Sequence, residues 1–200
     1  MKIKSALLPA TIAALLFSTN ALASTGTINF TGNVIASPCN AEITLTTPAD
    51  SYTSSGGTLT AQLALPDVTP ASFAASGRYA GRTPFSIALT ECLGGVGMPT
   101  TVYTRFTSGL TASGDPAVLR NTDSSGATDV GIAILQSNGT SQININSDHQ
   151  STSGFDPGQA LPTDTEGDVT LHYVAAYKSL AATVGPGAVA AQTSFEIAYH

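Results

Sequence analysis

Hydrophobic and polar residues alternate along most of the chain with the period of two that is typical of a β-strand with one buried face. Leucine or alanine occupies every second position from 59 to 65, and Phe85, Ile87 and Leu89 repeat the pattern. Further short strand-like runs lie at Val102–Phe106, Val130–Leu135, Gln142–Ile145, Val169–Tyr177 and Phe195–Tyr199. No amphipathic helix of three turns is predicted, and only a short turn is expected near residues 70–75.

Turn-forming residues separate these runs and predict antiparallel connections between neighbouring strands. Ser137-Asn138-Gly139-Thr140 stands between two of the runs, and Asn-Gly is the strongest short signal of a β-hairpin. Stretches that contain glycine and proline, such as residues 94–99 and 185–187, separate others. About seven short strands joined in this way predict one all-β domain, an antiparallel sandwich of immunoglobulin-like size.

The first 23 residues have the organisation of a secretory signal peptide. Lys2 and Lys4 form a positive beginning, residues 7–17 are apolar, and Ala21-Leu22-Ala23 is a small-x-small cleavage pattern. The alternative is a transmembrane anchor, which needs about 20 apolar residues, but polar residues at 18–20 interrupt this run. We therefore predict cleavage after Ala23 and an exported mature chain without a membrane span.

The composition restricts the partners of the mature chain. Charged residues make up 10% of the sequence, against about 25% in typical soluble domains. Removal of residues 1–23 takes away Lys2 and Lys4 and leaves 177 residues. These residues carry five of the seven cationic side chains and all 13 carboxylates, so their net charge is −8. A nucleic-acid partner is not expected, because binding phosphates requires lysine and arginine.

Cys39 and Cys92 are the two cysteines of the sequence. Export to an oxidising compartment favours a disulfide between them. A zinc site is the alternative, but it would need further cysteine or histidine ligands close to these two, and the sequence has none there. We predict a structural Cys39–Cys92 disulfide.

Two segments fit a closed sandwich poorly. Residues 25–36 form an amphipathic strand pattern, with Ile28, Phe30, Gly32 and Val34 on one side, yet this strand precedes the first cysteine. The last strand runs almost to residue 200, so no sequence remains for a strand that would close its edge. We therefore expect residues 25–36 to pair with the open edge of the last strand, either within one molecule or between molecules.

Several motifs in this order are similar to those of a known family. They are the N-terminal alternating segment with its central glycine, Ser37-Pro38-Cys39, the run from Pro84 to Cys92, the run from Thr128 to Leu135, Gly187 and the penultimate Tyr199. Together with a signal peptide and one disulfide, they resemble the fimbrial (type 1-like) pilins of the chaperone–usher pathway. The last residue, His200, is an unusual ending for that pattern.

The resemblance implies an incomplete immunoglobulin-like sandwich that lacks its last strand. Residues 24–36 would be a donor-strand extension, with Ile28, Phe30, Gly32 and Val34 as the donor strand, and residues 37–200 the pilin domain. Chaperone–pilin complexes are a known case of such β-strand addition. Phe195, Ile197 and Tyr199 would form the acceptor groove and the chaperone contact. The implied partners are neighbouring pilin subunits, a periplasmic pilus chaperone and an outer-membrane usher, and the implied location is a fimbria on the cell surface.

Signals for enzymatic or metal chemistry are scarce. His149, His172 and His200 lie far apart without metal-like spacing, and serine-nucleophile and phosphate-binding glycine motifs are missing. Asp164, Glu166 and Asp168 could hold calcium, but the loop lacks the glycine and the distal glutamate of a calcium loop, so a solvated acidic turn is the preferred interpretation. We expect no enzymatic activity, cofactor or metal.

A structural shaft pilin is the function that these features favour. A minor or adaptor pilin of the same pathway is the first alternative. A self-contained secreted β-sandwich that binds a sugar or protein is the second. The sequence has no tryptophan and no clustered aromatic residues, which argues against a sugar-binding platform.

Overall fold

The described part of the chain comprises residues 36–40, 42–55 and 58–200 of a computed structural model. The predicted signal peptide and the predicted donor strand, with Ile28, Phe30, Gly32 and Val34, lie outside the described residues. Residues 36–200 form one compact unit.

The described residues form eleven β-strands and one short 3-10 turn at Pro70–Ser72. The strands are β1 (Glu42–Thr46), β2 (Ser51–Ser55), β3 (Tyr79–Cys92), β4 (Thr101–Thr107), β5 (Thr111–Ala112), β6 (Asp115–Arg120), β7 (Val130–Gln136), β8 (Gln142–Ile143), β9 (Gln159–Ala160), β10 (Gly167–Ser179) and β11 (Ser194–Tyr199). The prediction of an all-β chain with a short turn after residue 70 is confirmed.

The strands pair in two antiparallel sheets. The larger sheet has the order β2-β1-β3-β10-β7-β6-β5, with β8 paired to β7, and the smaller has the order β11-β4-β9. The long strands β3 and β10 pair from Tyr79 opposite Lys178 at one end to Cys92 opposite Gly167 at the other. This pair contains the two longest strands of the fold.

The main core lies between the two sheets. Ile87, Leu89 and Leu171 of the larger sheet and Val102 and Phe106 of the smaller sheet belong to one buried cluster. Each such side chain contributes about 1.5–3 kcal/mol when it is removed from water. The alternation along β3, β4 and β10 therefore predicted the residues that hold the sheets together.

The hairpin predicted from Asn138-Gly139 is confirmed. β7 and β8 pair with Ile134 opposite Ile143, and Gly139 has a φ of 66°, which suits a residue without a side chain. The side-chain oxygen of Asn138 accepts hydrogen bonds of 2.9 Å from the backbone N–H groups of Thr140 and Ser141. The β1–β2 hairpin was not predicted, because threonine and serine occupy most of its positions.

The predicted disulfide is confirmed. Cys39 and Cys92 are bonded and both are buried. Beside them, the backbone N–H of Leu93 donates to the carbonyl of Pro38 at 2.8 Å. The chain therefore enters the folded unit at the end of the β3–β10 pair that carries Cys92.

A buried polar network connects the two sheets. Asp156 is 6% exposed, and its carboxylate accepts hydrogen bonds from the backbone N–H of Thr104 at 2.8 Å and of Gly158 at 3.0 Å. The hydroxyl of Tyr173 on β10 donates to the same carboxylate and lies 2.8 Å from the side-chain oxygen of Thr104 on β4. Burial and the charge of Asp156 raise the pKa of Tyr173 far above its ordinary value, so this hydroxyl remains a neutral donor.

We predict that Tyr173→Phe destabilises the protein by about 1–3 kcal/mol, because it removes a donor from a buried carboxylate. Tyr52→Phe is the matched control, since the hydroxyl of Tyr52 makes one exposed contact of 3.5 Å with Asp50. Urea unfolding measures both changes. Equal losses of stability in the two variants would contradict a structural role for the network.

Candidate functional site

Strand β11 has one paired edge and one edge without a partner strand. It pairs with β4 from Ser194 opposite Thr107 to Tyr199 opposite Val102, and among the described strands no other strand pairs with it. Phe195, Ile197 and Tyr199 are half-buried and pack against the main core cluster, as their alternation predicts. The strand therefore offers an apolar face beside a row of unpaired backbone groups.

The segment of residues 58–65 has the side-chain pattern of a strand but no strand partner among the described residues. Its leucine and alanine positions at 59, 61, 63 and 65 are half-buried, whereas residues 58, 60, 62 and 64 are exposed. Within the described part of the chain, its backbone makes no hydrogen bond. The paired strand that the alternation predicts here is thus an unpaired segment, because no strand of the described unit lies beside it.

Both unpaired segments pack against the same buried cluster. Leu59 and Ala61 pack against the cluster that Phe195, Ile197 and Tyr199 also contact. Unpaired backbone N–H and C=O groups beside apolar side chains are the features that an added β-strand can use. The acceptor surface, defined here as residues 58–65 together with β11, can therefore receive an extended apolar peptide.

The end of β11 is fixed in place by hydrogen bonds. The carbonyl of His200 accepts from the backbone N–H groups of Thr100 and Thr101, both at 2.9 Å. The hydroxyl of Tyr199 lies 3.3 Å from the side-chain oxygen of Ser37. These contacts place the end of β11 near the Cys39–Cys92 disulfide.

Two histidines that are distant in sequence are stacked in the structure. The rings of His149 and His200 have centroids 4.5 Å apart and an interplanar angle of 1°. The hydroxyl of Tyr103 lies 2.8 Å from Nδ1 of His149, whereas His172 is exposed on β10. No sequence signal indicated this stack, because the loop that carries His149 is positioned by tertiary packing.

The acidic turn at residues 164–168 is solvated. Asp164, Glu166 and Asp168 are exposed, and a carboxylate oxygen of Asp168 accepts a hydrogen bond of 3.4 Å from the backbone N–H of Glu91. Among the described residues, no group of three histidine, cysteine, aspartate or glutamate side chains could hold a metal ion. Across the same residues, no helix has the length and apolarity that crossing a membrane requires.

Residues 28–200 match the model of a protein family described as Fimbrial protein. The chain belongs to this family. The fimbrial subunit is 33% identical to the major fimbrial subunit SMF-1 of Stenotrophomonas maltophilia over 190 residues, which cover 89% of this chain and 94% of the relative. It is 32% identical to the type 1 fimbrial subunit of Salmonella typhimurium over 174 residues, which cover 87% and 82% of the two chains.

Solved structures show the same fold. The fimbrial subunit is similar to an antigen and type I fimbria protein of Burkholderia pseudomallei, with 30% identity, a TM-score of 0.51 and coverage of 70% and 82% of the two chains. It is also similar in fold to a chain from a chaperone–usher pilus, with 19% identity, a TM-score of 0.52 and coverage of 88% and 96%. The predicted immunoglobulin-like pilin fold is confirmed.

The family gives the subunit its general role. It is a structural, non-enzymatic subunit of a fimbria on the cell surface, and it polymerises with other pilins. The sequence-based predictions of family, general function and location are therefore confirmed. The predicted donor strand and acceptor residues remain proposals, which are developed below.

We predict that His200 titrates below the ordinary histidine value of 6.5, because burial, and secondarily the neighbouring His149, lower its pKa. Because the pKa of His200 is lower in the folded chain, the unfolded chain binds the proton more readily. The contribution of neutral His200 to the free energy of unfolding is therefore present above the unfolded-state pKa, and it is lost as the pH falls. NMR titration of the ring measures the value. His149→Ala should raise the pKa of His200, and His172→Ala should leave it unchanged. Equal effects of the two variants would contradict a contribution of the His149 ring to the lowered pKa.

Proposed function

We propose that the fimbrial subunit polymerises by donor-strand exchange. Residues 24–36 of one copy, with Ile28, Phe30, Gly32 and Val34 as the inserted face, occupy the acceptor surface of the next copy. The observation that supports this most directly is the acceptor surface itself, in which residues 58–65 and β11 present unpaired backbone beside half-buried apolar side chains. The sequence of residues 25–36 has the matching apolar alternation.

The dimensions and energies of the two parts are compatible. At roughly 3.3 Å per residue, donor residues 28–34 span about 23 Å, and the six residues of β11 span about 20 Å. Burial of Ile28, Phe30 and Val34 contributes roughly 1.5–3 kcal/mol each, and each backbone hydrogen bond adds about 0.5–1.5 kcal/mol. Gly32 lets the donor backbone approach the acceptor closely, since it has no side chain.

The acceptor surface also explains a need for a chaperone. An exposed strand edge beside apolar side chains is an aggregation site until another strand covers it. We infer that a periplasmic pilus chaperone binds Phe195, Ile197 and Tyr199 first, and that an outer-membrane usher then delivers the subunit to the growing fimbria. One surface thus serves the chaperone and the neighbouring subunit in succession.

The donor strand can be tested with one charge placed on either of its faces. Phe30→Asp should abolish polymers, because it buries an unpaired carboxylate. Asn33→Asp is the control and should leave polymers intact, since residue 33 lies on the opposite face of the alternating segment. The measurement is the ladder of SDS-resistant polymers on gels of unheated samples. Normal ladders from Phe30→Asp would exclude this segment as the donor.

The acceptor strand can be tested with a tagged periplasmic chaperone. Tyr199→Ala should reduce both co-purification of the chaperone and incorporation into fimbriae, because the ring contacts the core beneath the acceptor surface. Glu196→Ala is the control, since Glu196 is exposed between the inward-facing residues of β11. A folded Tyr199→Ala subunit that fails to bind the chaperone yet assembles normally would contradict a shared surface.

A further inference from the structure

An arginine-lined concavity of about 450 Å³ lies at the start of β3. Its lining residues are Ser72, Ala74, Gly77, Arg78, Tyr79, Arg82 and Thr140. We call this surface the arginine concavity. It lies at the end of the β3–β10 pair that is marked by Tyr79 opposite Lys178, away from the disulfide.

The arginine concavity holds cationic groups that have no anionic partner among the described residues. Nearby Lys178 is neutralised, since its ammonium lies 2.7 Å from a carboxylate oxygen of Asp115. Arg78 and Arg82 are exposed, and within the described ranges neither guanidinium forms an ion pair. The sequence has seven lysines and arginines against 13 carboxylates, yet these two arginines form no ion pair with any described carboxylate.

The guanidinium of Arg82 is held in position. Its Nε donates to the carbonyl of Gly139 at 2.9 Å, and Nη1 donates to the carbonyl of Tyr79 at 3.3 Å. The guanidinium carbon also lies 5.8 Å from the centre of the Tyr79 ring. Arginine has five N–H donors, so three remain available for a carboxylate at little further cost in side-chain entropy.

Carboxylates that form no ion pair with a described residue lie at the other end of the same strand pair. Asp164, Glu166 and Asp168 are exposed just before and at the start of β10, and Glu91 is exposed near the end of β3. We call these four residues the acidic end. β3 has 14 residues, so at roughly 3.3 Å per residue the acidic end is about 43 Å from the arginine concavity. One molecule therefore cannot pair its own two ends.

Chain connectivity places a neighbouring copy beside the acidic end. Pro38 and Cys39 contact Leu93 and Cys92 at this end of the strand pair, and residues 24–36 are joined directly to them. A neighbour that receives residues 24–36 must therefore lie close to the acidic end of the donor. Two acidic ends repel each other, whereas the arginine concavity attracts carboxylates.

We propose that the arginine concavity of one subunit binds the acidic end of a neighbouring copy, with Arg82 and Arg78 receiving the carboxylates of Asp164 and Glu166. This inference rests on the proposed donor-strand exchange, which supplies the neighbour at high effective concentration. The contact joins different surfaces of two identical chains, which is the kind of interface that propagates along an open polymer. It guides each incoming subunit during assembly by electrostatic attraction.

Charge reversal and charge exchange test this contact in the full chain. We compare the rates at which SDS-resistant polymers form from the chaperone-bound subunit at 50 mM and 500 mM NaCl. The Arg78→Glu/Arg82→Glu variant should assemble roughly tenfold more slowly than the wild type at low salt, and the difference should disappear at high salt. Asp164→Arg/Glu166→Arg should slow assembly similarly, and the combination of all four changes should restore the rate.

Arg120→Glu is the control for a charge reversal elsewhere on the surface, because Arg120 is exposed on β6 outside the arginine concavity. Combining it with Asp164→Arg/Glu166→Arg should not restore the rate. Wild-type rates for Arg78→Glu/Arg82→Glu at low salt, or no recovery in the four-residue exchange, would overturn the proposal. Binding of free sialic acid to the concavity with unchanged assembly would also overturn it and assign the site to a carboxylated glycan.

The same experiment separates this contact from donor-strand exchange. If donor-strand exchange fails, the wild type itself forms no SDS-resistant polymer. If only the contact between the ends fails, the wild type polymerises and charge reversal leaves its rate unchanged.

Discussion

Backbone groups that lie beside apolar side chains must find hydrogen-bond partners, and this requirement governs the structure of the subunit. Most of its strands meet the requirement within the two sheets. Among the described residues, residues 58–65 and the second edge of β11 have no strand partner, although their apolar side chains pack against the main core. A pilin that polymerises with its neighbours can use such an edge as a binding surface, because a strand from another molecule satisfies the backbone and completes the apolar contact at once.

Two connections stabilise the folded unit behind this edge. The Cys39–Cys92 disulfide ties the beginning of the folded unit to the end of β3, and the network of Asp156, Tyr173 and Thr104 connects the two sheets through buried hydrogen bonds. Both connections lie close to β11, since Thr104 is opposite Ile197 and Ser37 contacts both Cys39 and Tyr199.

Charge is distributed along the same axis as the long strand pair. Exposed carboxylates lie at the end where the chain enters the folded unit, and Arg78 and Arg82 lie at the opposite end without carboxylate partners among the described residues. In a chain with few cations, this separation gives identical subunits a preferred order of approach. Apolar insertion would provide the stability of the polymer, and the charged ends would affect how quickly subunits find each other.

The sequence by itself determined the strands of the core, the hairpin at Gly139 and the disulfide, because local alternation, turn chemistry and cysteine count decide these features. It also indicated the unmatched edge of β11. Only the tertiary structure decided that residues 58–65 have no partner strand within the described part of the chain, since alternation shows which face is buried and not whether a neighbour is present. The stack of His149 on His200 and the burial of Asp156 likewise depend on strand pairing and loop packing, which bring together residues whose separation in sequence carries no signal.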